Sequence, residues 1–428
     1  MKKVFTVIIA GFMPFLVYAQ AGHIMQGIGA HNMSMGGAAT GQPLDISGTL
    51  HWNPAGISAF DKKILSVNAG LFFSSPELSS TVPTPGGPMS GTTKDDRGVS
   101  VMPALAMVWG KKDSKHTFGV SAFGISGFGV TFPQSSSNPI NMPQPNGFGR
   151  LQSDYQLMQV GVTYAYKLNP QFSIGFAPTF NYSALELEPN PLASPDMSKG
   201  YPVSDKASAL GFGGQVGVFY NSGKGFKLGA SYKTQQSFKE FTFKSKYLDG
   251  STAPDVKFKM NYPAILSFGA GYSNDKIDIA AEYRSVNYEK TDGFEAKGWT
   301  ATASVKGFGW QNMSVVSAGF QYKGVKKMPL RVGYTYSSCP IQSELAFFST
   351  PATAVIKNAF QFGFGHEASK HVTLNATYHH GASGDAVSGP VLTPMMISGS
   401  NPYGAIPSSS VSYKMTTDLI MFGLNYTF

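Results

Sequence analysis

The sequence is poor in charge and nearly devoid of sulfur chemistry. Asp, Glu, Lys and Arg make up 13% of its 428 residues, about half the roughly 25% of an ordinary soluble domain. The single cysteine, Cys339, rules out an intramolecular disulfide and reads as a small apolar filler near a strand end. After the first nineteen residues no stretch approaches eighteen apolar residues, so membrane-spanning helices are excluded. No G-x-x-x-x-G-K-[ST] run exists, and Gly211–Gly214 follows strand alternation instead of opening a helix. His366, Glu367 and His371 have one residue too many for a helical zinc pattern and straddle a turn. His379 and His380 point to opposite strand faces. No metal, cofactor or catalytic residue is therefore expected, and the chain does not read as an enzyme. Net charge is +9, or +7 (9 − 2) without Lys2 and Lys3, and no basic run tracks phosphates. Nucleic acid is not an expected partner.

What is present begins with a secretory signal over residues 1–19. Lys2 and Lys3 supply its charged start and Val4–Val17 its apolar core. Val17-Tyr18-Ala19 is a small-x-small cleavage site, with cleavage after Ala21 as the nearby competitor.

From about residue 62 the chain alternates tight polar turns with long Pro/Ser/Gly-rich segments. The turns fall near 110–115, 168–171, 221–225, 273–276, 323–327 and 368–370. The long segments fall near 75–97, 131–150, 189–206, 243–255, 291–311, 342–355 and 381–410. Six turns and seven long loops separate fourteen strands and leave both chain ends on the short-turn side. This is the layout of an outer-membrane barrel, with short periplasmic turns opposite long external loops. The expected fold is all-β: a 14-stranded antiparallel transmembrane barrel over 61–428, in the outer membrane of a Gram-negative bacterium.

Individual strands agree. In the last one, Ile420, Phe422, Leu424, Tyr426 and Phe428 share one face, opposite Leu419, Met421, Gly423, Asn425 and Thr427. An apolar face backed by small or polar residues is a lipid-out, lumen-in pattern. The terminal Phe428 resembles the assembly signal read by the barrel insertion machinery. The third strand, near His116–Val130, breaks phase. Phe118, Val120 and Ala122 hold one face, then Phe123 and Ile125 take the other. Either this is a glycine-rich strand apolar on both faces, or a bulge at Ala122–Phe123 opens the wall sideways, with Gly124 and Gly127 making it pliable. Residues 20–60 show no alternation and are too small and glycine-rich for a core of their own. They form either a loose periplasmic tail or a hatch packed in the lumen.

MGGAATG followed by DISGTLHWNPAGI (residues 35–57) resembles the hatch of the FadL-type family of long-chain fatty-acid transporters, which includes toluene and xylene channels. MPLRVGYTYSSCPI (residues 328–341) resembles the same family's Arg-x-Gly-Tyr strand and Pro turn. The resemblance implies passive uptake of a hydrophobic small molecule, fatty acid or aromatic hydrocarbon. It implies lateral exit into outer-membrane lipid at the third-strand kink, which Asn53, Pro54 and Ala55 of the hatch would touch. Arg331, inward by alternation, would either pair a ligand carboxylate or a structural acid such as Glu282, and Arg284 likewise. Two alternatives remain open at this stage: a general polar-solute porin, and a PorV-like barrel that serves as an interaction partner in protein secretion.

Overall fold

The computed structural model describes residues 22–428; the expected signal peptide lies outside the described residues. Fourteen strands follow one another around a closed antiparallel barrel. They are β1 (Lys63–Thr84), β2 (Val99–Trp109), β3 (His116–Phe132), β4 (Leu151–Lys167), β5 (Phe172–Glu188), β6 (Ala207–Asn221) and β7 (Phe226–Lys233). The circuit continues with β8 (Ala264–Ser273), β9 (Ile277–Asn287), β10 (Met313–Tyr322), β11 (Leu330–Ser337), β12 (Asn358–Glu367), β13 (Val372–Ala382) and β14 (Ser410–Thr427). Each strand pairs with its sequence neighbours, and β14 pairs with β1 from Ile64↔Thr427 to Thr81↔Ser410, so no edge is left at closure.

Alternation decides which way each side chain points. Val101, Phe176, Phe180, Val216, Phe268 and Phe422 are exposed on the outer surface, whereas Ser66, Thr163, Gln215, Ser317, Gln361 and Thr417 are buried inside. The outward set is what a hydrocarbon environment accepts and the inward set needs partners. The six short turns lie where the sequence puts them. Two of the long loops are more regular than their Pro/Ser/Gly content suggests. Residues 75–84 continue β1 and form a hairpin with Gly87–Lys94. Cross-strand hydroxyl pairs, Ser79 with Thr92 (2.7 Å) and Thr81 with Ser90 (2.8 Å), satisfy a strand that has left the apolar band. Phe241–Lys246 and Thr252–Phe258 likewise form a hairpin, extended by Val203–Ser204 into a small external sheet.

Residues 22–60 fill the lumen. Two short helices, α1 (Ala30–Ser34) and α2 (Ile46–Trp52), and a 3-10 turn (Pro54–Ala59) are almost wholly buried by the wall. Asp45 caps α2, accepting from the N–H groups of Ser47 (3.0 Å) and Gly48 (3.2 Å). Burial pushes its carboxyl up to about 6 in spite of those two bonds.

A segment this short cannot cover its own backbone, so the wall supplies the partners. Asn68 accepts from Ala30 N–H (3.0 Å), Thr335 donates to Gly36 O (3.0 Å) and Gln215 donates to Trp52 O (2.8 Å). The wall also supplies absences. A Cβ at Gly229 would lie 1.9 Å from Thr40 O, one at Gly319 2.4 Å from Met35 O, and one at Gly333 2.2 Å from Gly36 N. Glycines on several strands thus leave a seat for the lumenal backbone.

Candidate functional site

The wall breaks between β2 and β3, and sequence and structure agree on the strand but not on the register. β2 and β3 pair only from Trp109↔Phe118 to Ala104↔Phe123. Beyond that point β2 continues on β1 through Pro103 to Val99, and β3 continues on β4 to Phe132. Between them the ladder is missing. Pro103, which has no N–H to offer, stands next to the last pair. On the other lip, the β3–β4 register shifts between Gly124 and Ser126, leaving Ile125 as the extra residue.

The expected slip at Ala122–Phe123 is therefore corrected. Those two residues are the last to pair with β2, and alternation runs unbroken through them. Phe123 and Ile125 face inward because the lumen is apolar at this height. Gly124 and Gly127 line the break itself.

The free edge of β3 is capped by the chain's own N-terminal residues. Ile24 forms a β-bridge with Ser126. Met25 N–H donates to Ile125 O (3.0 Å), and Gly127 N–H donates to His23 O (3.1 Å). Ser126 Oγ also donates to His23 O (2.9 Å). Asn53, Pro54 and Ala55 are elsewhere. Asn53 Nδ2 donates to Thr40 O (2.8 Å) and Val218 O (3.0 Å), and the turn packs on Gly175 and Gly217. The expectation that this triplet touches the kink is corrected: it is seated on β5 and β6, because glycines there let its backbone in.

Behind the break lies a cavity of about 700 Å³. It is lined by Val99–Pro103 on one lip of the break and by Gly124 and Ser126–Gly129 on the other, by Gly22 and Met25 of the lumenal segment, and by Tyr155 and Leu157 of β4. Its outer rim is polar. Arg97 passes over Gly129 to meet Asp154 at 2.6 Å, and Lys206 reaches the same carboxylate at 2.6 Å. Asp96 N–H donates to Thr131 O (2.8 Å), which finishes the β3 edge above the break.

Neither arginine proposed from sequence is available to a ligand. Arg284 pairs with Glu282 (2.5 Å), donates to Gln26 O (3.0 Å) and Gly37 O (2.5 Å), and lies 3.5 Å from the Trp52 ring centre. Arg331 donates to Gln321 (2.5 Å) and Asn375 (3.0 Å). Both guanidiniums are buried; Arg284 takes the structural pairing with Glu282, whereas Arg331 meets neither a ligand carboxylate nor an acid but the side-chain amides of Gln321 and Asn375.

The residues that sequence reasoning missed surround His23. Its ring is stacked on Phe294 (4.7 Å between centres) and enclosed by Phe128, Tyr155, Tyr262, Tyr288 and Trp310. Its Nδ1 shares a 2.7 Å hydrogen bond with the Tyr288 hydroxyl. Burial pushes the imidazole down to about 3, so it is neutral at any ordinary pH. Tyr262, Phe294 and Trp310 come from external loops without periodicity, and only their aromatic identity could have drawn attention. A smaller apolar niche, lined by Phe148, Trp299, Phe347 and Phe348, lies farther out among the same loops.

A family model for outer membrane protein transport proteins (OMPP1/FadL/TodX) matches residues 18–428. The chain belongs to this family. It is an outer-membrane barrel of a family that transports hydrophobic compounds across the Gram-negative outer membrane. The Pseudomonas putida toluene transporter TodX superposes with a TM-score of 0.68 at 17% identity, covering 94% of this chain and 99% of that one. A Pseudomonas aeruginosa FadL homologue gives 0.71 at 13% identity, covering 95% and 100%. The Ralstonia pickettii toluene transporter TbuX gives 0.64 at 15% identity, covering 94% and 99%. At these identities the likeness is one of fold. No protein of curated function matches the sequence.

Proposed function

We propose that this FadL/TodX-family barrel takes up small hydrophobic molecules passively and releases them sideways, through the break between β2 and β3, into the membrane. Residues 22–60 act as the hatch that closes the lumen below. The observation that carries this reading is the cavity of about 700 Å³ lined by the unpaired stretch of the two strands. Outward side chains flanking that stretch are apolar, Val101 and Leu105 among them, so the opening gives onto hydrocarbon.

The energetics favour that direction. Apolar surface gains about 25 cal/mol per Å² on leaving water, so a greasy solute released into an aqueous periplasm would climb that whole slope. Passage from an apolar cavity into lipid is nearly level and needs no energy source. Relatives named for toluene and for monoaromatic hydrocarbons support a small apolar ligand. A polar-solute porin would need an open, charged lumen, and here the lumen is packed with buried chain.

The test is uptake of labelled toluene, oleate and glucose by cells lacking their own hydrophobic-solute transporters. The wild-type barrel is compared with Gly124→Val. A Cβ at Gly124 would sit 3.7 Å from Met158 Sδ and 3.8 Å from Pro103, ordinary contact distances, and the γ-methyls of valine would add bulk at the break. Hydrophobic uptake is expected to fall to background while the barrel stays folded and heat-modifiable. Unchanged uptake removes the lateral route. Glucose uptake alone would make the protein a porin, and no uptake by a well-assembled barrel would favour the secretion partner.

A further inference from the structure

The net charge of the molecule is concentrated at one end of the barrel. The periplasmic rim consists of the seam where β14 closes on β1 (residues 60–63) and of the six short turns with their flanking strand ends. Those turns span 110–116, 167–171, 221–227, 273–278, 322–328 and 366–371. The seven stretches hold thirteen lysines, no arginine and five acids, a net charge of +8 (13 − 5). Residues 22–428 together carry +7, so the rest of them, lumen and external loops included, sums to −1 (7 − 8). The whole excess of positive charge faces the periplasm.

These lysines are also poorly neutralised. On the external side, Lys94, Arg97, Arg150, Lys199, Lys206 and Lys259 each hold a carboxylate at 2.6–3.2 Å. On the periplasmic rim Lys323 does so, to Asp278 at 3.0 Å. Lys227 turns to Gln42 and Ser273 (2.7 Å each), and Lys63 lies over the Phe428 ring. Among the described residues, the other ten rim lysines (13 − 3) make no ion pair and no hydrogen bond through Nζ. Like charges crowded on one rim repel one another, and the acids between them offset less than half of the charge.

The charge forms a closed collar. Each of the six turns carries at least one lysine, and the seam carries two. A soluble protein would touch one sector of such a collar, whereas the lipid surrounding a barrel meets all of it. The height agrees. Trp109, Phe172, Phe226, Tyr272, Tyr322 and Tyr426 are exposed on the outer surface at the same ends of the strands, and an aromatic belt of this kind sits at the headgroup level of a bilayer. The residue type agrees as well. Lysine is a point charge on a long, mobile stem, suited to a fluid layer of phosphates, while a fixed anion site favours the planar fork of arginine.

We propose that this collar is a docking surface for anionic phospholipid headgroups, of the phosphatidylglycerol type, in the leaflet that faces the periplasm. The headgroups gather around this end of the barrel and hold it at a fixed depth. The external end, where cations and carboxylates already satisfy one another, exerts no comparable pull, so the collar gives the barrel an electrostatic polarity across the bilayer. The inference goes beyond the transport reading and does not depend on it, because it concerns the outside of the wall and not the route of a solute.

Trp109 is a built-in reporter. It is 40% exposed, two residues before Lys111, while Trp52, Trp299 and Trp310 are buried. The mature barrel is reconstituted in phosphatidylcholine vesicles that contain either dibrominated phosphatidylglycerol or dibrominated phosphatidylcholine. Bromine quenches the tryptophan that the lipid touches. At low salt, phosphatidylglycerol is expected to be preferred about fivefold beside Trp109. That preference should fall toward one in about 0.5 M salt. Lys111→Gln, Lys112→Gln and Lys115→Gln together should abolish it, and Lys111→Arg, Lys112→Arg and Lys115→Arg together should keep it. All three lysines are exposed in one turn, and heat-modifiable migration checks that each variant is folded.

Equal quenching by the two lipids in the wild type overturns the proposal. So does a preference that survives high salt or the triple glutamine substitution. Equal quenching together with salt-sensitive retention of barrels on isolated cell-wall sacculi would also overturn it, and would assign the collar to the carboxylates of that polymer.

Discussion

Glu282 and Arg284 stand two residues apart on β9, and both point into the lumen, where each fastens a different part of the N-terminal segment. Glu282 Oε2 accepts from Ala39 N–H (2.7 Å) and Thr40 N–H (2.7 Å). Arg284 donates to Gln26 O and Gly37 O and stacks on Trp52. The 2.5 Å contact between the two charges ties both attachments into one latch.

Breaking that latch leaves a buried charge alone, which costs about 3–5 kcal/mol. Glu282→Ala is expected to loosen residues 36–40 without unfolding the wall, whose ladders do not depend on it. Protease cleavage within the lumenal segment should appear in the variant while the barrel keeps its heat-modifiable migration. Ion conductance in planar bilayers should rise with it. A variant whose segment remains as protected as the wild type's would show that the wall glycines alone hold it.

Those glycines make a separate prediction. A methyl group at Gly229 would overlap Thr40 O at 1.9 Å, and Thr40 O is also the acceptor for Asn53 Nδ2. Gly229→Ala must therefore shift the segment, at a cost of about 1–3 kcal/mol for an overpacked interior. Gly399→Ala, where a Cβ meets nothing within 4 Å, should be silent. Urea-unfolding midpoints of the two variants, measured side by side, check the difference.

The barrel was legible in the sequence because the bilayer imposes a rule on every strand: apolar outside, small or polar inside. Ile420, Phe422 and Leu424 alternate with small or polar residues up to the last residue, as that rule requires. Break and strand were also visible, since Phe123 and Ile125 put apolar groups on the lumenal face. The register was not, because an inward apolar residue and a bulged residue look alike in one dimension. Ile125, not Ala122 or Phe123, is the unpaired one. The roles of Arg284 and Arg331 were undecidable for a different reason. Alternation says that a side chain points inward, not whether Gly37 O or a ligand waits there. The cage around His23 was invisible, since it joins a residue of the N-terminal segment to Tyr155 on β4 and to rings from two external loops.

Acidity should loosen the cap on β3. The ordinary value for an exposed imidazole is 6.5, and in the packed state that of His23 is about 3. A depressed value means that the packed state binds fewer protons than the displaced one, so its stability is complete above pH 6.5 and is lost as pH falls from there toward 3. The groups facing the ring are the phenols of Tyr155, Tyr262 and Tyr288, which do not titrate in that window. His31 and His51, also held low by burial, push in the same direction from other parts of the segment. Displacement of His23 should be about thirtyfold more favourable at pH 5 than at pH 7.5. Hydrogen exchange at Gly127 N–H, which His23 O protects, reports it once corrected for intrinsic rates. The excess over a His23→Gln barrel is the His23 contribution; two barrels with the same pH dependence would rule it out.

Phe428 presents a case in which stability and assembly can be told apart. Its N–H donates to Lys63 O (3.0 Å), its ring lies 4.2 Å from Lys63 Nζ, and Tyr426 packs edge-on against it at 4.9 Å. The ring is 54% exposed, and an exposed cation–π contact is worth only about 0.5–1 kcal/mol. The backbone bond that helps close β14 on β1 survives replacement of the side chain. Phe428→Ala should therefore leave the unfolding midpoint of the purified barrel close to that of the wild type. If the insertion machinery reads this ring, the same substitution should sharply lower the amount of barrel reaching the outer membrane, with unassembled chain accumulating in the periplasm. Wild-type amounts in the outer membrane would mean that Phe428 only packs against Lys63, and that the signal for insertion lies elsewhere in β14.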